Sequence, residues 1–321
     1  MTFLIMSLPR KKILFSIFVF LVFFFCLFYS FQGKRTNILL LGVPGENYSG
    51  PNLTDTIIIL SVNPAHKDLV LVSVPRDIWI GSFQTKINSL YELGGLDLLK
   101  REVNNILGLE SIDLTVVFDF EGFKKAIDLV GGLEVEVEHA FDDFKYPIVG
   151  RENDDCQGDL EYKCRYEHLH FDKGPTFMDG ELALKFARSR FATNSGEGTD
   201  FARSKRQQKI ILAFKEKIFS RRLFLNPKIV FGFFKIWREN IETDFKAQNF
   251  LKLLVSFFRV NWERPRMFSL NWGEENQGGL LFNPPIEEYG SWVLVPRSGD
   301  WQEVQRELKQ FLNPQNQTSQ N

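Results

Sequence analysis

Two short runs, TIIILSV at 56–62 and DLVLVSV at 68–74, are apolar almost without interruption and are joined by the turn-like NPAHK. A strand with one wet face alternates apolar and polar residues. These runs do not, so both faces of their sheet are expected to be buried. Such a sheet needs helices on both sides, which limits the chain to layered α/β architectures. TNILLLGV and DLTVVFDF read as further buried strands, LEVEVEHA as a half-exposed one and WVLVP as a late one. SLYELGGLDLLKREVNNILG, EGFKKAIDLVGG, MDGELALKFA, FKAQNFLKLLVSFFRV and GDWQEVQRELKQFL carry helical patterns, the first with two tolerated glycines. LNPKIVFGFFKIW adds a helix with Asn226 as its cap and Pro227 at its first position. It is apolar on nearly every side and reads first as a plain buried helix, with the wall of an apolar groove as the alternative. Strands and helices alternate irregularly, which predicts a three-layer α/β/α fold with a mixed central sheet.

A second feature lies outside that fold. Residues 13–31, ILFSIFVFLVFFFCLFYSF, carry no charge, and a helix of roughly 20 residues crosses a bilayer's hydrocarbon. Residues 13–32 are therefore expected to form a transmembrane helix, after a cytoplasmic N-terminus at 1–12. A cleaved signal peptide is the alternative, but no small-residue cleavage site follows the run. PRKK before the run outweighs GKR after it, which places the body of a single-pass protein outside the cell membrane. The net charge is −1. It offers no basic excess for nucleic acid, so none is expected as a partner. Residues 140–177 lack periodicity and read as an inserted loop. Within it Cys156 and Cys164 sit eight apart. A disulfide, two free thiols, or a metal site with His168 and His170 are the alternatives. The polar tail at 313–321 is expected to be disordered.

Polar residues then appear where apolar ones belong. If 56–62 and 68–74 form a hairpin centred between Ala65 and His66, Asp55 and Arg76 fall side by side at one sheet end, with Asp77 next in sequence. A simple edge ion pair is the bland alternative. Arg188 and Arg190, in ARSR, share a face only if the helix before them breaks near Ala187. Two converging guanidiniums suit an anion between them. A helix beginning near Asp200 has an apolar stripe of Ile218, Phe214, Ile211 and Ile210. Followed backwards, that stripe meets Gln207, Arg203 and Asp200, with Arg206 beside them. A polar inward stripe at a helix N-terminus indicates a pocket that receives an anion.

In order, NILLLG, LTDTIIILSVNP, LVSVPRD, KIN, DFEGF, VGGLEVEV, FMDGELALKFARSR and DFARSKRQQ resemble the LytR-CpsA-Psr family of cell-wall glycopolymer ligases. The resemblance runs from about residue 36 to residue 220. It implies an extracytoplasmic catalytic domain over that range, with 140–177 as an insertion and 221–312 as an extension packed on the same domain. It also implies an enzyme, a phosphotransferase. Such an enzyme takes a glycan from a polyprenyl-pyrophosphate carrier and joins it to peptidoglycan, with membrane and magnesium as further partners. By motif position the pyrophosphate-binding set falls on Arg76, Lys86, Arg188, Arg190, Arg203 and Gln207. The metal-side carboxylate falls on Asp55 and a motif acid on Asp200. The implied catalytic set is Asp55, Arg76, Arg188, Asp200 and Arg203. Asp55, Asp77 and Asp200 are each able to act as base, and the sequence does not choose. Two positions depart from the family pattern: Val43 and Pro44 occupy a Gly-x-Asp motif, and Leu53 stands where an arginine is common. Glu46 is a candidate replacement for the missing acid. These departures keep open two other readings of the same site, a pyrophosphatase acting on the lipid and a membrane-tethered binder without turnover.

Overall fold

The computed structural model describes residues 35–193, 196–218, 226–246, 253, 259–262, 265–273 and 278–313, without the side chains of Asp200 and Phe201. The apolar run at 13–31 and the tail from 314 lie outside the described residues, as does most of FKAQNFLKLLVSFFRV. Among the described residues no helix is long and apolar enough to cross a membrane.

The strands are β1 (Thr36–Val43), β2 (Thr56–Asn63), β3 (Asp68–Ser73), β4 (Trp79–Ile80), β5 (Thr85–Lys86), β6 (Leu114–Asp119), β7 (Leu133–Val137), β8 (Phe141–Pro147), β9 (Tyr166–Phe171), β10 (Gly174–Met178), β11 (Ile241–Thr243), β12 (Arg266–Ser269), β13 (Trp272–Gly273), β14 (Leu281–Phe282) and β15 (Val295–Pro296). The α-helices are α1 (Leu90–Leu107), α2 (Phe120–Leu129), α3 (Gly180–Arg188), α4 (Asp200–Ile218), α5 (Pro227–Asn240), α6 (Ile286–Tyr289) and α7 (Gln302–Leu312). Six strands form the central sheet in the order β11-β6-β1-β2-β3-β12. It is mixed: β1 pairs antiparallel with β2 and parallel with β6, and β12 runs parallel to β3. Residues beyond 220 therefore supply both edge strands of the central sheet.

Side-chain alternation splits the sheet into two buried faces, as the apolar runs require. Leu39, Leu41, Ile57, Ile59, Val70 and Val72 pack with Leu99, Val103 and Ile106 of α1 and Val304 and Leu308 of α7. On the other face Ile58, Leu60, Leu69 and Leu71 meet Ile211 of α4 and Trp262. A second core joins Ile127 of α2, Phe186 of α3 and Ile210 of α4 to β7, Phe141 and Phe171. Helices α2 and α3 approach closely because residue 180 is glycine: a Cβ there would lie 2.3 Å from the Lys124 carbonyl oxygen.

Two expectations change and one open choice is decided. Residues 140–177 are not a structureless loop, because β8 and β9 pair as an antiparallel hairpin and β10 pairs with β7. A register shift between Asp143 and Tyr146 interrupts the alternation, which is why the stretch looks aperiodic. Cys156 and Cys164 are joined as a disulfide within the hairpin's connection, and His168 and His170 instead hydrogen-bond Asp142 at 2.7 and 2.8 Å. The two glycines of α1 are not simply tolerated: Gly94 and Gly95 leave helical geometry, Gly95 at φ 68°, and kink the helix.

At the N-terminal end of β1, Asp68 accepts from Arg35 at 2.7 Å and from Arg266 at 2.8 and 2.9 Å. Both arginines also donate to carbonyls at the end of α7, Leu312 and Phe311. Burial raises the Asp68 pKa, but bonds and charge from the two arginines outweigh it and hold the carboxyl below its ordinary value. A carboxylate lowered on folding stabilises the protein above its unfolded pKa, about 4. That stability is lost as pH falls through the folded value. Asp68→Asn is expected to cost about 1.5–3 kcal/mol at neutral pH and to flatten the loss of stability at acid pH. Urea unfolding across the acid range checks both. Gly180→Ala is expected to cost about 1–3 kcal/mol by overpacking, read from the same urea midpoint.

Candidate functional site

The β2–β3 register pairs Ile58 with Ser73 and Val62 with Leu69. Extended past the strand ends, it brings Asp55 and Arg76 together as the turn position requires, and they form an ion pair. The Arg76 Nε lies 3.5 Å from Asp77, and Lys86 donates to Asp77 at 2.8 Å. Lys86 reaches this point because β4 and β5 form a small hairpin directly after Asp77.

Helix α3 ends at Arg188, one residue later than expected, and Ser189 turns extended (φ −52°, ψ 134°). What fixes the next residues is Asp143 of β8, which is fully buried. Its Oδ2 accepts from the Ser189 hydroxyl at 2.7 Å and from the backbone N–H groups of Arg190 and Phe191 at 3.0 and 3.2 Å. Its Oδ1 accepts from the Lys145 N–H at 2.9 Å. Arg206, 3% exposed, clamps the same segment from α4. It donates to the carbonyls of Phe186, Ser189 and Glu197 at 3.0, 2.6 and 2.9 Å and to the Glu197 carboxylate at 2.9 Å. Burial lowers the pKa of Arg206, Glu197 partly offsets this, and the charge of Arg203 lowers it further. The group stays a cation, since a guanidinium does not deprotonate in proteins.

Arg188 leaves this anchored segment into an aromatic cage. Its guanidinium lies 4.4 Å from the Phe120 ring centre and 5.5 Å from those of Tyr48 and Tyr146. It also donates to the Tyr146 hydroxyl at 3.1 Å. Burial pushes the Tyr146 phenol up to about 12 against the opposing pull of Arg188, so it remains a neutral hydroxyl. Arg190 Nη2 lies 3.6 Å from Asp55 Oδ1. On α4, Thr199 caps the helix, its hydroxyl accepting from the Ala202 N–H at 3.1 Å, and the Asp200 side chain lies outside the described residues. Arg203 is 6% exposed, and Gln207 donates to Thr56 at 3.1 Å.

Asp55, Arg188, Arg190, Arg203 and Gln207 all line one cavity of about 530 Å³. Arg76 and Lys86 do not line it and join it only through their ion pairs with Asp55 and Asp77. Below the polar group the walls turn apolar. The sheet contributes Leu40, Ile58, Val116 and Phe118, α2 contributes Phe123 and Ile127, α4 contributes Ile211, Phe214 and Ile218, and α5 contributes Phe233, Ile236 and Trp237. Helix α5 is thus not a plain buried helix. One side lines the cavity, and Val230, Phe231 and Phe234 on another side are exposed. Asp143, Tyr146, Tyr48 and Phe120 were not singled out by sequence reasoning. The signal available for Asp143 was the FDDF alternation, which places Phe141 and Asp143 on one buried face.

Of the described carboxylates that line this cavity, Asp55 and Asp143, Asp143 has both oxygens committed, and Val43, Pro44 and Glu46 line a second cavity with Asp119 and Glu121. Asp55 is the carboxylate there that could hold a hard cation. A single carboxylate fits magnesium where substrate phosphates complete the shell.

A family model described as the LytR_cpsA_psr family matches residues 29–292. The polyisoprenyl-teichoic acid–peptidoglycan teichoic acid transferase TagV of Bacillus subtilis (strain 168) is 31% identical over 288 residues, covering 87% of this chain and 65% of TagV. A transferase of the same description, TagU of Enterococcus faecalis, is 26% identical, covering 86% of this chain and 80% of that protein. The chain spans about half to two thirds of the length of several such relatives. The crystal structure of B. subtilis TagV superposes with TM-score 0.58 at 26% identity, covering 88% of this chain and 98% of that one. TagT bound to LI-WTA shares the fold, with TM-score 0.57 at 19% identity, covering 87% and 91%.

Asp143→Asn replaces one oxygen of a carboxylate that accepts from three donors on Oδ2 and one on Oδ1. It is expected to cost about 1.5–3 kcal/mol and to speed hydrogen exchange at the Arg190 and Phe191 amides roughly tenfold or more. Residue-resolved hydrogen exchange checks the pattern.

Proposed function

The chain belongs to the LytR-CpsA-Psr family, and from that premise we propose that it is a membrane-anchored, extracytoplasmic phosphotransferase. It moves a glycopolymer from a polyprenyl-pyrophosphate carrier onto peptidoglycan. The observation that carries this reading is the cavity itself, with clustered guanidiniums at one end and an apolar interior of sheet and helix side chains. A pyrophosphate joined to an isoprenoid has the same division of chemistry.

In this reading the isoprenoid lies between the sheet and helices α2, α4 and α5. The pyrophosphate meets Arg188, Arg190 and Arg203, while Gln207 offers a neutral donor beside them. Fixed cations act where negative charge grows, which is the main device of phosphoryl transfer. The acceptor hydroxyl of the peptidoglycan attacks the phosphorus bearing the glycan. The bond from that phosphorus to the bridging oxygen breaks, and polyprenyl phosphate leaves. The hydroxyl proton passes to a carboxylate at the mouth. Of the three candidates, Asp55 lines the cavity and Asp77 is engaged by Lys86 and Arg76. Asp55 would also hold magnesium, which when bound supplies positive charge to the pyrophosphate oxygens. Arg76 supports Asp55 and orients it. The aromatic cage keeps Arg188 from collapsing onto Asp55 when no anion is present. The membrane anchor at 13–32 holds the body beside the bilayer from which the donor comes.

The test uses the full chain in detergent with a short-chain polyprenyl-pyrophosphate oligosaccharide, magnesium and peptidoglycan fragments. Release of polyprenyl phosphate that requires the acceptor, with sugar appearing on the fragment, is the expected result. Release without acceptor would make the protein a pyrophosphatase, and bound but intact lipid would make it a binder. Arg203→Ala is expected to lower acceptor-dependent release by about 100-fold or more, with Arg203→Lys recovering part of it.

A further inference from the structure

Helix α5 has an outer face that the transfer reaction does not use. Val230, Phe231 and Phe234 are 57%, 75% and 66% exposed. Val230, Phe234 and Trp237 recur at i, i+4 and i+7 and form one stripe, with Phe231 beside it. Lys228 and Lys235, seven apart and both exposed, form the neighbouring stripe beyond Phe231. The stripe begins at Trp237, which also lines the cavity, and passes outward through the aromatics to the lysines. An exposed aromatic stripe flanked by cations is the pattern of a helix lying in a membrane interface.

Topology places this face at a particular end of the molecule. Strands β1 and β6 are parallel, with Val43 beside Asp119 at their C-terminal ends. Helix α2 starts there and runs back over the sheet, with Phe123 stacked on Phe118. Helix α5 runs opposite to α2: a Cβ on Gly122 would meet Asn240, and one on Gly232 would meet Leu129. The N-terminal half of α5, with its exposed aromatics, therefore lies toward the N-terminal end of β1, where Arg35 enters the fold. Only Gln32, Gly33 and Lys34 separate Arg35 from the apolar run, a reach of at most about 14 Å.

We propose that the outer face of α5 rests on an anionic lipid bilayer. Val230, Phe231 and Phe234 enter the headgroup region, and Lys228 and Lys235 lie against lipid phosphates. The placement rests on the membrane-anchor reading above and assigns to α5 the surface on which the body of the protein sits. It turns the apolar end of the cavity toward the bilayer.

The experiment uses the full chain carrying Cys26→Ser, reconstituted into phosphatidylglycerol-containing vesicles. Single spin labels are attached at F231C, F234C and, as a control, I286C. Ile286 is 52% exposed, and its helix lies by Trp79 near Asp77, at the opposite end of the sheet. Cys156 and Cys164 are disulfide-bonded and take no label. Co-sedimentation with vesicles reports the anchor separately from the labels. The expected result is a several-fold loss of collision with a water-soluble nickel complex at 231 and 234, a matching gain with oxygen dissolved in the lipid, and neither change at 286. Replacing both lysines (K228E/K235E), or using neutral phosphatidylcholine vesicles, should weaken the effect. Labels at 231 and 234 that stay as water-accessible as the one at 286 would overturn the proposal while leaving an anchored chain intact. Labels shielded from both quenchers would mean that protein covers this face, which also overturns it. A chain that does not sediment with vesicles would overturn the anchor and the docking together.

Discussion

Guanidiniums do not gather without something to hold them, and here it is the backbone around residues 188–191 that is held. Asp143 binds that segment from β8 through one hydroxyl and two N–H groups, and Arg206 binds it from α4 through its carbonyls. Both side chains are almost wholly buried, and their polar atoms are spent on the segment and on Glu197. A loop fixed from both sides keeps two like charges converging at no further conformational cost. Arg188 has no carboxylate partner among the described residues and is held against the faces of three aromatic rings. The site is thus preorganised for an anion and does not assemble around one.

The same economy explains the cavity. A helix packed on a β-sheet normally buries its stripe against the strands. Here α4 does so only in part, because its first turns face the sheet with Arg203 and Gln207. Helix α2 and its neighbours are fitted to each other at glycines 122, 180 and 232, where a Cβ would meet backbone or side-chain atoms within 2.5 Å. The helices thus close on one another and leave a gap over Leu40, Ile58, Val116 and Phe118. From β1 the cavity takes Leu40 and Gly42, in the strand's C-terminal half, while along α4 it runs from Arg203 to Ile218, about 22 Å of helix, so its polar and apolar ends are separated along that helix.

Much of this was readable before the structure, and the reasons are local. The Asp55–Arg76 pair followed from counting across a turn, because antiparallel register is fixed once the turn is known. The polar stripe of α4 was visible because a helical period carries its phase along the chain. Arg188 and Arg190 were found from two-residue spacing beside a helix end. Asp143 and Tyr146 were not, because a register shift between them hides the period of 2 on which strand recognition depends. Helix α5 was read first as buried, with a groove wall only as the alternative, for another reason. Apolar residues on nearly every side predict burial, and the sequence does not distinguish a helix buried in protein from one with a cavity on one side and an exposed face on another.

The departures at Val43 and Leu53 take on a definite meaning in this geometry. In the Gly-x-Asp pattern the acid's position falls on Pro44, which like Val43 is buried and lines the second cavity, not the one that holds Asp55. Glu46, the candidate replacement, lines the same second cavity as Val43 and Pro44. On the proposed reading, the described part of the site brings one carboxylate to a magnesium ion and relies on the donor's own phosphates for the rest of the shell. The balance of charge then shifts from metal to arginine. On that reading Arg188, Arg190 and Arg203 supply most of the positive charge that meets the pyrophosphate. An enzyme arranged this way binds its donor mainly by guanidiniums and recruits the ion with the lipid, which makes donor binding the step on which metal binding depends.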